Sequence, residues 1–230
     1  MLDTIFFDLF HTLVTLDGNN SRNEYDVLNI SKDEWEKYAE DKELYFLRAT
    51  GKEKDPRKII ESIIDKMGLE VKDDEIDEIL ELRKRKFERS LLNIDTAILD
   101  VLKDIKKKGI KLCLISNADT IDVMYWKQSP LSNLFDEAIF SYEVGYLKPQ
   151  AEIYNLALKS MNTIPERSIF VGDGGSDELK GAKELGIKTI FTRYLIEKEE
   201  EEYRKIKQFA DYYVQDFNEI LSAIDIQAAV

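Results

Sequence analysis

The chain has 230 residues, 43% of them hydrophobic, and 33 Lys and Arg against 46 Asp and Glu give a formal net charge of −13. That is enough apolar material for one sizeable core with a small accessory domain, while the negative charge disfavours nucleic acid and anionic membrane surfaces as partners. No run of about 18 apolar residues reads as membrane-spanning, MLDTIFFDLF lacks the basic start and cleavage site of a secretory signal, and the lone Cys113 permits no internal disulfide, so a cytoplasmic setting is expected.

Taken in order, short apolar runs rich in β-branched and aromatic residues predict strands over Thr4–Asp8, Lys111–Ser116, Ala138–Ser141, Ser168–Val171, Lys188–Thr192 and Asp211–Val214. Helix-period segments lie between them: Ile94–Lys108 with Gly109 as its stop, Gln150–Met161 after Pro149, and Asp177–Leu185 ending at Gly186. Strands alternating with helices predict an α/β fold with a doubly wound parallel sheet. Residues from about 17 to 91 break that rhythm. Ser31 and Glu34 form a capping-box pair before a helix carrying Trp35, Tyr38, Leu44 and Leu47. Asp55-Pro56 opens a second helix that closes near Gly68, and a third covers about Asp73–Ser90. The charge-dense Glu197–Glu202 reads as a solvated helix face, and Cys113, inside IKLCLIS, as a buried small hydrophobe.

Four polar clusters fall at the carboxyl ends of predicted strands, the edge where open parallel sheets bind ligands. Asp8 follows IFF, Ser116-Asn117 end KLCLIS, Lys148 follows the third strand, and Asp173 with Asp177 follows SIFV. An isolated Asp8 would read as a loop-entry aspartate. Four such clusters at one edge point instead to a shared site.

These segments, DLFHTL from Asp8, LISNAD around Ser116, GYLKPQAEIY around Lys148 and VGDGGSDELKGA around Asp173, resemble the four motifs of the haloacid dehalogenase-like hydrolase superfamily, in the branch with a helical cap inserted after the first strand. The resemblance implies a Rossmann-like core over residues 1–16 and 92–230 and an all-helical cap over 17–91, with Gly18 and Leu92–Asn93 as hinges. It implies that Asp8 is a nucleophile forming a covalent ester, and that Thr12 hydrogen-bonds its loop. Lys148 neutralises the substrate and keeps Asp8 ionised, and Ser116 donates to the transferred group with help from backbone N–H groups near Phe10 and Asn117. Asp8, Asp173 and the carbonyl of Phe10 hold Mg²⁺. Asp177 either ligates through water or orients Lys148, with Glu178 as the alternative one residue on. The substrate implied is a small phosphorylated molecule; nothing in the sequence fixes an oligomeric state.

One position departs from the phosphatase pattern. Phosphatases of this superfamily carry a second aspartate two residues after the nucleophile, which protonates the leaving group; here it is Phe10, which cannot. An aromatic there is found in the dehalogenase branch, whose carbon–halogen bond needs no leaving-group proton, and Tyr154 suits that branch or plain helix packing. The dehalogenase reading also needs a cation in the cap, for which Arg48 is the candidate, although it reads equally as a solvated helix end. Asp173 and Asp177 pull the other way, because acids clustered near Asp8 repel unless a cation joins them. His11, the lone histidine, either supplies or relays the missing proton to the substrate or is a loop residue shaping the cap boundary. Tyr25, Trp35, Tyr38, Tyr45 and Phe46 are available to line the cap or to form its core. The expectation is therefore a Mg²⁺-dependent phosphatase, with a 2-haloacid dehalogenase and a non-catalytic binding module on the same fold as alternatives.

Overall fold

In the computed structural model, which describes residues 2–16 and 22–228, six strands form one parallel sheet. They are β1 (Thr4–Phe7), β2 (Lys111–Ser116), β3 (Glu137–Phe140), β4 (Ser168–Gly172), β5 (Lys188–Thr192) and β6 (Tyr212–Val214), each within one residue of the run expected for it. Among the described residues six helices lie between β1 and β2: α1 (Glu24–Val27), α2 (Lys32–Ala39), α3 (Lys42–Ala49), α4 (Pro56–Met67), α5 (Asp73–Leu92) and α6 (Thr96–Lys107), the last leading into β2. Helices α7 (Ser141–Val144) and α8 (Ala151–Ser160) follow β3, α9 (Glu178–Glu184) follows β4, α10 (Glu200–Lys207) follows β5, and α11 (Glu219–Ala228) follows β6. Among the described residues no helix is long and apolar enough to cross a membrane.

The strand order is β3-β2-β1-β4-β5-β6, so the chain builds outward from β1 to one edge and then crosses to the other side. The reversal lies between β1 and β4, and a crevice opens at the carboxyl ends of the strands there. Alternation along β1 serves both faces. Ile5 and Phe7 enter a cluster with Leu102 and Ile105 of α6 and Ile220 of α11, while Phe6 enters another with Ile153 of α8 and Leu179 of α9. Each of these wholly buried side chains contributes roughly 1.5–3 kcal/mol relative to exposure. Burial on both faces is what makes β1 a continuous apolar run rather than an alternating one.

The insert between β1 and β2 folds around its own cluster, in which Ile59, Ile60, Ile63 and Ile64 of α4 meet Ile76 and Ile79 of α5 and Trp35 of α2. Its helix starts follow local capping. Ser31 Oγ accepts the Glu34 N–H at 3.1 Å, and the Asp55 carboxylate accepts from Arg57 and Lys58 with Pro56 in the first turn. Gly68 ends α4 at φ +70°, the left-handed conformation that glycine enters without strain. The single helix expected through Trp35 and Leu47 is two helices. Asp41 breaks it by accepting from the N–H groups of Glu43 and Leu44, which starts α3. The expected hinge at Gly18 lies outside the described residues; Leu92–Asn93 is where α5 ends.

The insert is tied to the loop that follows β2. Ile121 of that loop is fully buried within the insert's cluster and Thr120 Oγ1 donates to the carbonyl of Lys54 at 3.0 Å, while Ser141, at the start of α7, donates through Oγ to the carbonyl of Ala49 at 2.6 Å. An Ile121→Ala substitution is therefore expected to cost about 2–5 kcal/mol in urea unfolding, as for other large-to-small core changes, although the residue belongs to neither insert nor sheet.

Candidate active site

The site begins with β1, which carries Asp8 to the edge of the sheet, where the Asp8 N–H donates to Val171 O at 2.9 Å. Asp8 is 7% exposed. Thr12 Oγ1 donates to its Oδ2 at 3.1 Å, and the Lys148 ammonium donates to its Oδ1. Lys148 comes from the loop after α7. Its backbone is bracketed by the Asn117 side chain, whose Oδ1 accepts the Lys148 N–H at 2.8 Å and whose Nδ2 donates to the Lys148 carbonyl at 3.1 Å. The amide at the end of β2 thus fixes the stem of a cation from another segment. The same ammonium reaches Glu178 Oε2 at 2.5 Å and lies over the Phe170 ring.

Asp173 completes the acidic group. Asp8, Asp173 and Glu178 each offer a carboxylate oxygen, and all three oxygens lie within 4.8 Å of one another. Gly172 and Gly174 permit this crowding. A Cβ on Gly172 would sit 2.0 Å from Glu178 Oε1, and Gly174, at φ +84°, turns the loop and donates its N–H to the same carboxylate at 3.2 Å. Tyr154 is wholly buried and donates its hydroxyl to the Glu178 carbonyl at 2.8 Å, so it packs and positions rather than facing the cavity.

Burial raises the pKa of Asp8, the Lys148 ammonium lowers it, and Asp173 raises it again, leaving the carboxyl above its usual range. Glu178 is pushed up further by burial and by Asp8. Burial opposes the charge on Lys148, yet Asp8 and Glu178 outweigh it and raise its pKa, so it is an ammonium at every ordinary pH.

The expected second acid of the fourth motif, Asp177, is exposed and lies against a different hollow with Lys180 and Lys205. Glu178 takes the inward place beside Lys148. The difference of one residue comes from the turn, where Ser176 and Asp177 both adopt φ +53° and roll the chain so that the first residue of α9 points inward. Ser116 Oγ is fully buried and has no hydrogen-bond partner among the described residues. Buried hydroxyls are normally satisfied, so this orphan suits a group that arrives with a ligand.

A cavity of about 440 Å³ opens in front of these residues. Phe10 and His11 line it, with Phe10 edge-on to Phe87 of α5 at 5.6 Å and His11 held at φ +63°. The far wall belongs to the insert: Glu40, Tyr45, Arg48 and Arg83. Of the other insert aromatics, Trp35, Tyr25 and Tyr38 pack in the insert's cluster and Phe46 is exposed.

Arg48 is not a solvated helix end. It is 3% exposed, and its Nε lies 3.1 Å from Asp119 Oδ2. Arg83, which no motif or spacing singles out, reaches Asp119 at 3.2 Å and Asp122 at 2.9 Å. Two cations of the insert thus close on two acids of the loop after β2. Lys198 was equally hidden in its charge-dense run. Its side chain is 10% exposed, and its ammonium sits 3.1 Å from Asp173 Oδ2 and 3.1 Å from Glu202 Oε1. Neither contact has a sequence signal, because each joins segments that only the fold brings together.

A profile of the haloacid dehalogenase-like hydrolases matches residues 2–214. The chain belongs to this family. It is similar to a glyceraldehyde 3-phosphate phosphatase of Methanothermobacter thermautotrophicus, 38% identical over 92 residues that make up 39% of this chain and 40% of that one. The fold resembles that of a Bacteroides thetaiotaomicron haloacid dehalogenase-like enzyme solved with magnesium and inorganic phosphate, at a TM-score of 0.66 and 22% identity, over 89% of this chain and 100% of that one. It equally resembles the L-2-haloacid dehalogenase of Xanthobacter autotrophicus with covalently bound chloropropionic acid, at a TM-score of 0.65 and 16% identity, over 98% and 99% of the two chains. The chain spans about a fifth to a half of the length of the first curated relatives it matches. Phosphatases and dehalogenases of this family share the fold, so side chains at the site must distinguish them.

Two outcomes test this geometry. Glu178→Gln is expected to lower metal affinity or turnover by about 10–100-fold, the usual cost of losing a group that orients a site residue, whereas Asp177→Asn leaves both nearly unchanged. Asp119, raised from 3.8 to about 6 by burial and by Asp122 against the pull of its arginines, binds a proton more tightly folded than unfolded. Its contribution therefore falls as pH climbs from about 4 to about 6, and Asp119→Asn should flatten that part of the stability–pH curve measured by urea unfolding.

Proposed function

We propose that this protein is a Mg²⁺-dependent phosphatase acting on a small phosphorylated metabolite through an aspartyl-phosphate at Asp8. The carrying observation is the three-acid group of Asp8, Asp173 and Glu178, two of whose members hold the Lys148 ammonium. Hard carboxylate oxygens at this spacing suit a small divalent cation, and a halide site would have no use for them. In this reading Asp8 and Asp173 hold Mg²⁺ together with the Phe10 carbonyl. When bound, the ion neutralises charge on the transferred phosphoryl group.

The chain's own residues then divide the work. Lys148 pulls the pKa of Asp8 down against the rise that burial causes, and draws the anion in despite the negative net charge. Thr12 holds Asp8 Oδ2, which leaves the carboxylate aimed for attack on phosphorus. Ser116 supplies the unused hydroxyl donor to a phosphoryl oxygen, and Asn117 acts through the Lys148 backbone. The helical insert, taken as a cap over residues 17–91, closes the cavity and excludes water. At its far wall Glu40, Asp119 and Asp122 already neutralise Arg48 and Arg83, so that wall offers acceptors for hydroxyl groups more readily than a second anion site.

Phe10 supports a second reading, a 2-haloacid dehalogenase. Packed on Phe87, it cannot protonate a leaving alcohol. In a phosphatase it restricts fast turnover to esters whose leaving group departs without a proton. The phosphatase relatives and the acidic group favour the first reading.

Phosphate release from p-nitrophenyl phosphate, whose leaving group scarcely needs an acid, is expected to require Mg²⁺ and to fall to background in Asp8→Asn. Phe10→Asp should raise the rate on alkyl phosphates toward the roughly 10²–10⁴-fold that a general acid supplies. Halide release from 2-chloropropionate without metal, or no turnover across a broad phosphate-ester panel, would overturn the assignment.

A further inference from the structure

Lys198 stands where the assigned chemistry gives it no role. Its ammonium is 3.1 Å from Asp173 Oδ2, on the carboxylate best placed to hold a divalent ion, and its side chain is 10% exposed. The contact is built rather than incidental. The Lys198 backbone N–H donates to the Tyr203 hydroxyl at 2.8 Å, and the Tyr203 ring is buried in the core against Phe191. The same hydroxyl meets Glu197, which is held in turn by two contacts from Arg193. These bonds fix the start of the segment that leads into α10 and aim one lysine inward from a run that is otherwise acidic and exposed. Lys198 also lines the cavity that faces Asp8.

Two cations therefore sit on three acids: Lys148 on Asp8 and Glu178, and Lys198 on Asp173. Lys148 leaves Asp173 untouched, whereas Lys198 takes an oxygen of the carboxylate that a metal ion would need. An ammonium and a divalent cation cannot both approach that oxygen closely without repelling each other.

We propose that Lys198 is a positioning residue that competes with the divalent ion for Asp173, and so sets a weak intrinsic metal affinity that an anionic substrate relieves. The inference rests on the metal-dependent reading above. Because the ammonium faces the substrate cavity, an entering phosphate gives it a further partner of opposite charge beside Asp173 and Glu202 and lowers its hold on Asp173. Metal and anion then bind with positive coupling, and by linkage each strengthens the other equally. The protein would keep its metal site loosely filled until substrate is present.

Titration calorimetry of Mg²⁺ into the full chain tests this, first alone and then with saturating inorganic phosphate. Lys198→Met, which keeps the length and removes the charge, is expected to bind Mg²⁺ about tenfold more tightly in the absence of phosphate and to lose part of the gain phosphate gives the wild type. Lys198→Arg, which keeps the charge, is expected to stay close to wild type. A purely structural role for Lys198 would instead weaken metal binding in both variants or leave it unchanged. If wild type binds Mg²⁺ and Lys198→Met binds it no more tightly, while thermal melts show both folded, the competition is wrong and the metal-dependent reading stands. If wild type binds no Mg²⁺ even with phosphate, both fall together.

Discussion

The molecule depends on one buried ammonium. Lys148 lies between Asp8 and Glu178, and each of the three would be costly to bury alone. Together they form a group that pays part of its own desolvation, and the surrounding chain is arranged to keep them in register. Asn117 grips the lysine's backbone, Tyr154 grips the glutamate's carbonyl, and Gly172 leaves room for the glutamate's carboxylate. Removing Lys148 would leave two buried carboxylates facing each other without their cation.

The sheet explains why these groups meet. Parallel strands put their carboxyl ends at one edge, and the order reversal between β1 and β4 opens a crevice there. Asp8, Ser116 and Asp173 each follow or end a strand, so their convergence is a consequence of topology. The insert adds a second wall whose ionic tie runs from Arg48 and Arg83 to Asp119 and Asp122. Charge crosses the seam, and Ile121 crosses it as an apolar peg. The insert is therefore anchored to the loop after β2.

Phe10 and Lys198 mark the two places where the site departs from a plain hydrolytic arrangement. Phe10 puts an apolar ring, packed edge-on against Phe87 of the insert, two residues from Asp8, where the proposed phosphatase reading would have an acid. Lys198 adds a cation to Asp173. Both changes reduce the negative charge around Asp8, one by omission and one by pairing.

The sequence by itself determined the six strands and the helical character of the described residues between β1 and β2, and it pointed to the segments that meet at the crevice. Those features follow from local periodicity, capping chemistry and the order of motifs along the chain, all of which act over a few residues. Its local signals also stopped short at Asp41, where one expected helix became two, and at the short helices α1 and α7, which are single turns with little periodicity to read. Only the tertiary structure decided between Asp177 and Glu178, because the choice rests on two left-handed residues that roll the turn by one position. Only the tertiary structure brought Arg83 to Asp119 and Lys198 to Asp173, pairs separated by 36 and 25 positions along the chain. Charged residues on helix faces look alike in sequence whether they meet water or a carboxylate, and the difference is made by which surface the folded chain lays against them.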